Sequence, residues 1–156
     1  MELMIPQQIF VLWHDAVPPV LVRRCIESMR QFSGCCVRQL TFAAALQLLG
    51  IVRFPKAFAT PSTRSDFLRA HLLAQFGGVY LDASCVVLKP LSVWIDFASD
   101  DAHIFTTPTD DAIPEAWAIA APLGHPLVMM WRDEILTIER VGLDVYFCRV
   151  PRPVSR

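Results

Sequence analysis

The chain lacks a surplus of positive charge: fourteen Lys and Arg stand against fifteen Asp and Glu, a formal net charge of -1. Binding a phosphate backbone takes a cluster of basic side chains, so nucleic acid is not expected as the main partner. The chain also lacks an apolar run long enough for a helical membrane span, which needs roughly 20 residues. The charge-free stretch Gln39–Val52 is too short, and Ala116–Trp131 is interrupted by Pro122, Gly124, His125 and Pro126. The opening MELMIPQQIF carries an acid where a secretory signal would carry basic residues. A cytoplasmic protein is therefore expected, with peripheral membrane association or an oligomer compatible with the composition.

Paired cysteine chemistry is missing too. Cys25, Cys35, Cys36, Cys85 and Cys148 are odd in number, contain no C-x-x-C, and sit mostly in apolar runs. This pattern predicts reduced, buried thiols rather than a disulfide framework or a zinc site. His14, His71, His103 and His125 are scattered without metal-ligand spacing. No repeat and no linker is visible, so 156 residues read as one domain of ordinary size with a real core.

What the chain has is apolar content: 54% hydrophobic residues, with a mean hydropathy of +0.41. Either the core is rich, or part of the surface is covered by a partner, a membrane or a missing part of the chain. The run QQIFVLW (Gln7–Trp13) reads as a buried first strand followed by His14-Asp15. Pro18-Pro19 introduce a helix over VLVRRCIESMRQF, with Ser33-Gly34 behind it. CCVRQLTF reads as a second strand, FAAALQLL as a short helix closed by Gly50, and 52–61 as irregular between Pro55 and Pro61. Thr63 and Asp66 have capping-box spacing, which predicts a helix from about Thr63 with Leu68, Leu72 and Phe76 on its apolar stripe and Gly77-Gly78 as its stop.

VYLDASCVVL then reads as strand, a polar interruption at Asp82-Ala83-Ser84, and strand again up to Lys89-Pro90. AHIFTTP and AWAIAAP are further strands, and Pro126 opens a last helix with Leu127, Met130, Trp131, Ile135 and Ile138 on one face. This alternation predicts an α/β domain with a mostly parallel sheet flanked by helices. In such sheets ligands bind beyond the carboxyl ends of the strands. Trp13 and Asp82 both stand at such ends, and Asp66 and Arg69, three apart on one helix, project from the same side. An aromatic face, a carboxylate and a carboxylate–guanidinium pair suit a nucleotide sugar: the ring stacks on the base, and the carboxylates accept from hydroxyls or hold a divalent ion on the pyrophosphate. Each residue also has a plainer role. Asp66 can cap its helix and pair locally with Arg69, Trp13 can be core, and Gly77-Gly78 can simply end a helix. Asp82 is harder to explain so, because a carboxylate amid Val79, Tyr80, Leu81 and Val86–Leu88 is costly without a partner.

SDFLRAHLLAQFGGVYLDASCVVLKPL resembles the core of the capsular polysaccharide synthesis glycosyltransferases, relatives of the DXD-containing transferases that include yeast mannosyltransferases and the glucosyltransferase domain of large clostridial toxins. IPQQIFVLWHDAVPPVLVRRCIESMR and AWAIAAPLGHPLV resemble the opening and a later segment of the same family, so the likeness runs from Ile5 to about Ile138. The resemblance implies a GT-A, Rossmann-like fold that transfers a sugar from a nucleotide-sugar donor to a polysaccharide or glycan acceptor. It implies that Trp13 stacks on the base, that Asp66 and Arg69 contact donor sugar or ribose, and that Asp82 is the first acid of the DXD position and its metal ligand. Ser84 stands where many relatives carry the second acid, so Mn²⁺ or Mg²⁺ is expected to be weakly held. His14 and Asp15 are base candidates by their place at a strand end alone.

Relatives continue past the region of Val141, so a GT-A-like domain over 1–141, an unaligned tail over 142–156 and an incomplete, truncated or frameshifted domain are expected. Ser84 and the early end leave a non-catalytic module that binds a sugar nucleotide or a partner chain as the alternative. The strand-Asp-x-Ser pattern is also loosely that of aspartate-nucleophile phosphohydrolases, though these usually carry it on the first strand.

Overall fold

A computed structural model describes residues 4–106 and 114–141. The tail 142–156, with Cys148, lies outside them. The elements are β1 (Gln8–Trp13), α1 (Val20–Phe32), β2 (Cys36–Thr41), α2 (Phe42–Leu49), α3 (Pro61–Phe76), β3 (Gly78–Leu81), a 3-10 turn (Leu91–Val93), β4 (His103–Thr106), β5 (Pro114–Ala121) and α4 (Pro126–Val141). The sheet order is β2-β1-β3-β5-β4, with β1 parallel to β2 and β3, and β5 antiparallel to both of its neighbours. Four strands therefore point one way and β5 alone runs against them.

Strand alternation divides the core into two layers. Ile9, Val11, Val79, Leu81, Ala118 and Ala120 face α1 and the segment after β3. Phe10, Leu12, Tyr80, Ile119 and Ala121 face the other way, onto α2, α3 and α4. The core is rich, as one reading of the composition held, with each large side chain taken fully out of water contributing about 1.5–3 kcal/mol. Helix α3 is buried on more than the one stripe its sequence suggests: Phe67, Leu68, Ala70, Leu72, Leu73 and Ala74 are all buried, because it packs between α2 and α4.

Three local expectations are corrected. The capping box is Thr60 with Thr63, each closing on the other's backbone amide, and α3 begins at Pro61. Asp66 therefore does not cap the helix. Cys85–Leu88 form no strand; the chain beyond Asp82 lies along α1 instead, with the Val87 amide donating to the Ser28 hydroxyl. Of the four described cysteines, all free, only Cys25 is fully buried, and Cys36 is exposed at the β2 edge.

Gly77 and Gly78 join α3 to β3 with φ of +62° and +97°. A Cβ on Gly77 would stand 2.5 Å from the Leu123 amide nitrogen, and one on Gly78 would stand 2.9 Å from the Gln8 carbonyl oxygen. Both clashes are with backbone, so the glycines are required by space as well as by dihedral. Gly77→Ala is expected to lower stability by about 3 kcal/mol or more. Gly50→Ala, also left-handed but with open space around its Cβ, should cost only about 1 kcal/mol. Urea denaturation of both variants checks the difference.

The His71 ring stacks on Phe67 at 4.1 Å and its Nδ1 lies 2.7 Å from the Phe67 carbonyl oxygen. Burial is the main cause that lowers its pKa from 6.5, against the opposing carbonyl contact. The unfolded chain then binds a proton that the folded one refuses, so stability is lost as pH falls through about 6.5. His71→Gln is expected to flatten that slope in denaturation midpoints measured across this range.

Candidate functional site

Parallel pairing of β1 with β3, in register Phe10 with Tyr80, brings the carboxyl ends of the two strands side by side. A crevice of about 240 Å³ opens there, and its lining includes Trp13, His14, Ser65, Arg69, Tyr80, Asp82 and Ser84. Trp13 and Asp82 thus share one end of the sheet, as the sequence suggested. Asp66 does not line the crevice but pairs with Arg69 behind it.

Arg69 organises this corner. It is 6% exposed, and its guanidinium donates to the carbonyls of Ser65 on its own helix and Ala116 on β5. It lies 2.9 Å from Asp66 Oδ1, 3.5 Å from Asp82 Oδ1 and 4.7 Å above the Tyr80 ring. A planar, permanently charged fork suits this position, since one group serves two carboxylates, two carbonyls and a ring face. Its charge is matched inside the protein by Asp66 and Asp82, while it still contributes to the crevice lining.

Asp82 has a partner that the sequence reading missed. The Tyr80 hydroxyl donates to Asp82 Oδ1 at 2.9 Å and lies 3.1 Å from the Ser65 hydroxyl. The Asp82 amide continues the sheet ladder by donating to the Trp117 carbonyl at 2.8 Å. The signal was present as strand periodicity: residues two apart on one strand share a face, so Tyr80 and Asp82 point to the same side. Both contacts are to Oδ1, which leaves Oδ2 for a ligand.

The charges around this group act on one another. Burial chiefly raises the Asp66 carboxyl pKa; Arg69 opposes it and the Asp82 charge adds to it. Burial likewise pushes the Tyr80 phenol well above its usual range, so it remains a donor. The Cys85 thiol is pushed up to about 11 by burial and then by Asp82, so it stays protonated at neutral pH.

Trp13 is half-buried, its ring 4.9 Å from that of His14, and its indole nitrogen is buried without a partner. His14 Nε2 lies 3.1 Å from Asp15 Oδ2, in a pair exposed to solvent. Ser84 is exposed at the crevice, and its backbone carbonyl accepts from the Cys25 thiol at 3.5 Å. No three His, Cys, Asp or Glu side chains gather in metal-binding geometry among the described residues. With Asp82 held by Arg69 and a neutral hydroxyl at Ser84, this donor set does not by itself form a divalent-ion site.

Larger concavities lie away from this chemistry. One of about 890 Å³ lies by the starts of β1 and β4, away from the carboxyl ends of β1 and β3, lined by Gln7, Trp94, Phe97 and His103 among others. An apolar one of about 500 Å³ runs between Ile104, Ile119 and Trp131. The smaller crevice has the aromatic and acidic groups at strand ends, and chemistry rather than volume selects it. Arg69→Lys is expected to destabilise the fold by about 2–4 kcal/mol, because a single ammonium cannot serve partners on two elements at once. Chemical denaturation checks this.

No curated protein sequence matches this chain significantly. Among solved structures it is similar to the PaToxG glycosyltransferase, with a TM-score of 0.63 and 14% sequence identity over 91% of this chain and 64% of that one. At that identity the likeness is one of fold, in keeping with the GT-A architecture expected from the sequence, and this chain spans less than two thirds of that structure's length. Among the described residues no helix is long and apolar enough to cross a membrane. A family model described as capsular polysaccharide synthesis protein matches residues 2–138, nearly the whole chain, and the protein belongs to that family.

Proposed function

We propose that the chain binds a nucleotide-sugar donor at the crevice and takes part in transferring its sugar to a surface polysaccharide or glycan acceptor. The observation that carries this reading is the Asp82 carboxylate, fixed through Oδ1 by Tyr80 and Arg69 at the strand ends, with Oδ2 left over beside Trp13. A carboxylate held in this way is ready to accept hydrogen bonds from ribose or sugar hydroxyls without reorganising. The family and the fold likeness support glycosyl transfer as the chemistry.

In such a transfer an acceptor hydroxyl oxygen bonds to the anomeric carbon and gives up its proton. The bond from that carbon to the donor's phosphate oxygen breaks, and its electron pair leaves with the nucleoside diphosphate, or with the monophosphate for a CMP-sugar. Arg69 is too deeply engaged to meet that charge directly. The crevice of about 240 Å³ is below the range of about 300–1,000 Å³ common for small-molecule sites, so a whole nucleotide sugar would stand partly outside it. His14, which lines the crevice and is paired with exposed Asp15, is the base candidate at its mouth.

A panel of UDP-, GDP- and CMP-sugars, screened by thermal stabilisation and by donor hydrolysis, tests the reading. At least one donor should raise Tm, and Asp82→Asn should abolish that rise while shifting the ligand-free Tm by less than about 3 °C, because an amide oxygen still accepts from Tyr80. Intact binding in Asp82→Asn would put the donor elsewhere. Ser84 at the second acidic position favours a second reading, a module that binds the donor without turning it over. Stabilisation with no hydrolysis and no transfer would select it.

Metal binding gives a separate readout. Wild type is expected to bind Mn²⁺ weakly, and only with a nucleoside diphosphate present to supply further oxygen ligands. Ser84→Asp should tighten that binding by about tenfold or more by adding a carboxylate beside Asp82. Calorimetric titration of the ion into both proteins decides it; tight Mn²⁺ binding by wild type without nucleotide would overturn this account of the site.

A further inference from the structure

The outer side of α1 carries an apolar surface with no role in the crevice. Leu21, Cys25, Ser28 and Phe32 form one stripe along the helix, and the segment after β3 covers only its middle. There the Cys25 thiol meets the Ser84 carbonyl and the Ser28 hydroxyl meets the Val87 amide. The two ends stay open, with Leu21 75% exposed and Phe32 39% exposed. The covering segment adds to the surface, because Val86 and Leu88, on either side of buried Val87, are 59% and 74% exposed. Val17 and Val20, also exposed, extend the patch toward the mouth of the crevice near His14.

Positive charge outweighs negative around these aliphatics, with Glu27 on α1 and exposed Asp15 near Val17 as the acids. Arg23, Arg24 and Lys89 are exposed beside them, and Glu27, paired with Arg24 at 3.0 Å, is the single acid on α1. This face is cationic in a chain whose formal net charge is -1. None of the three concavities above includes Val17, Val20, Leu21, Val86 or Leu88. Lysine is depleted at protein interfaces, whereas aliphatic side chains flanked by arginine and lysine suit a bilayer interface, where hydrocarbon takes the aliphatics and anionic headgroups take the cations.

We propose that the α1 face, with the Val86–Lys89 segment laid against it, docks the protein on an anionic membrane surface and holds the crevice mouth beside that surface. The proposal does not depend on the donor reading, since lipid binding is measured without any nucleotide.

Co-sedimentation with phosphatidylcholine vesicles, with and without phosphatidylglycerol, tests it. Wild type should partition onto the phosphatidylglycerol vesicles, less so as salt is raised, and hardly onto phosphatidylcholine alone. The double variant Leu21→Glu/Leu88→Glu should partition about tenfold more weakly or worse, and Arg24→Ala/Lys89→Ala about five- to tenfold more weakly. All four side chains are exposed, so unchanged Tm values show that folding is not the cause. Failure of wild type to bind phosphatidylglycerol vesicles, or full binding by the Leu21→Glu/Leu88→Glu variant, overturns the proposal. A wild-type dimer in light scattering that this same variant dissolves also overturns it, and assigns the face to a second copy of the chain.

Discussion

The buried guanidinium of Arg69 is the constraint on which the crevice corner depends. A permanent positive charge this far from water is tolerable only with its hydrogen bonds and its counter-charge supplied. Supplying them draws three elements together: Ser65 and Asp66 from α3, Asp82 at the end of β3, and the Ala116 carbonyl from β5. Two carboxylates share one cation, so the corner keeps a negative balance, which adds to the burial that chiefly raises the cost of ionising Asp66. Tyr80 completes the arrangement by giving Asp82 a neutral donor beneath the charged one.

The reversed direction of β5 matters to this arrangement. A strand antiparallel to β3 presents Ala116 and Trp117 beside the end of β3, where their carbonyls reach Arg69 and the Asp82 amide. The one reversed strand thus braces Arg69 and Asp82 on the side of β3 away from β1. The Trp117 ring meets Phe105 in a tilted contact at 4.9 Å, and Trp94 meets Phe105 edge-on at 4.7 Å.

Much of this was legible in the sequence, and the parts that were not have identifiable causes. The strand ends at Trp13 and Asp82 could be read because apolar runs stop abruptly there, and the Asp66–Arg69 pair because helix spacing is local. The helix start was misplaced because Thr60-Pro61 carries the same capping chemistry as Thr63, three residues earlier. Cys85–Leu88 read as strand from composition, yet Val87 alone needed burial and α1 offered it a place. Direction in the sheet is a tertiary property, and nothing in AWAIAAP signals that it runs against its neighbours. The hold of Ala116 on Arg69, across forty-seven residues of sequence, has no local trace at all.

The segment after Asp82 has no sheet ladder of its own; it is fastened to α1 at two points, the Cys25 thiol and the Ser28 hydroxyl. Both fastenings lie on the helix rather than on the sheet. Asp82 is anchored through its amide to β5, and the Cys85 amide closes a turn onto the Asp82 carbonyl, so the seating of the first helix helps set where the Ser84 hydroxyl stands relative to the carboxylate two residues before it.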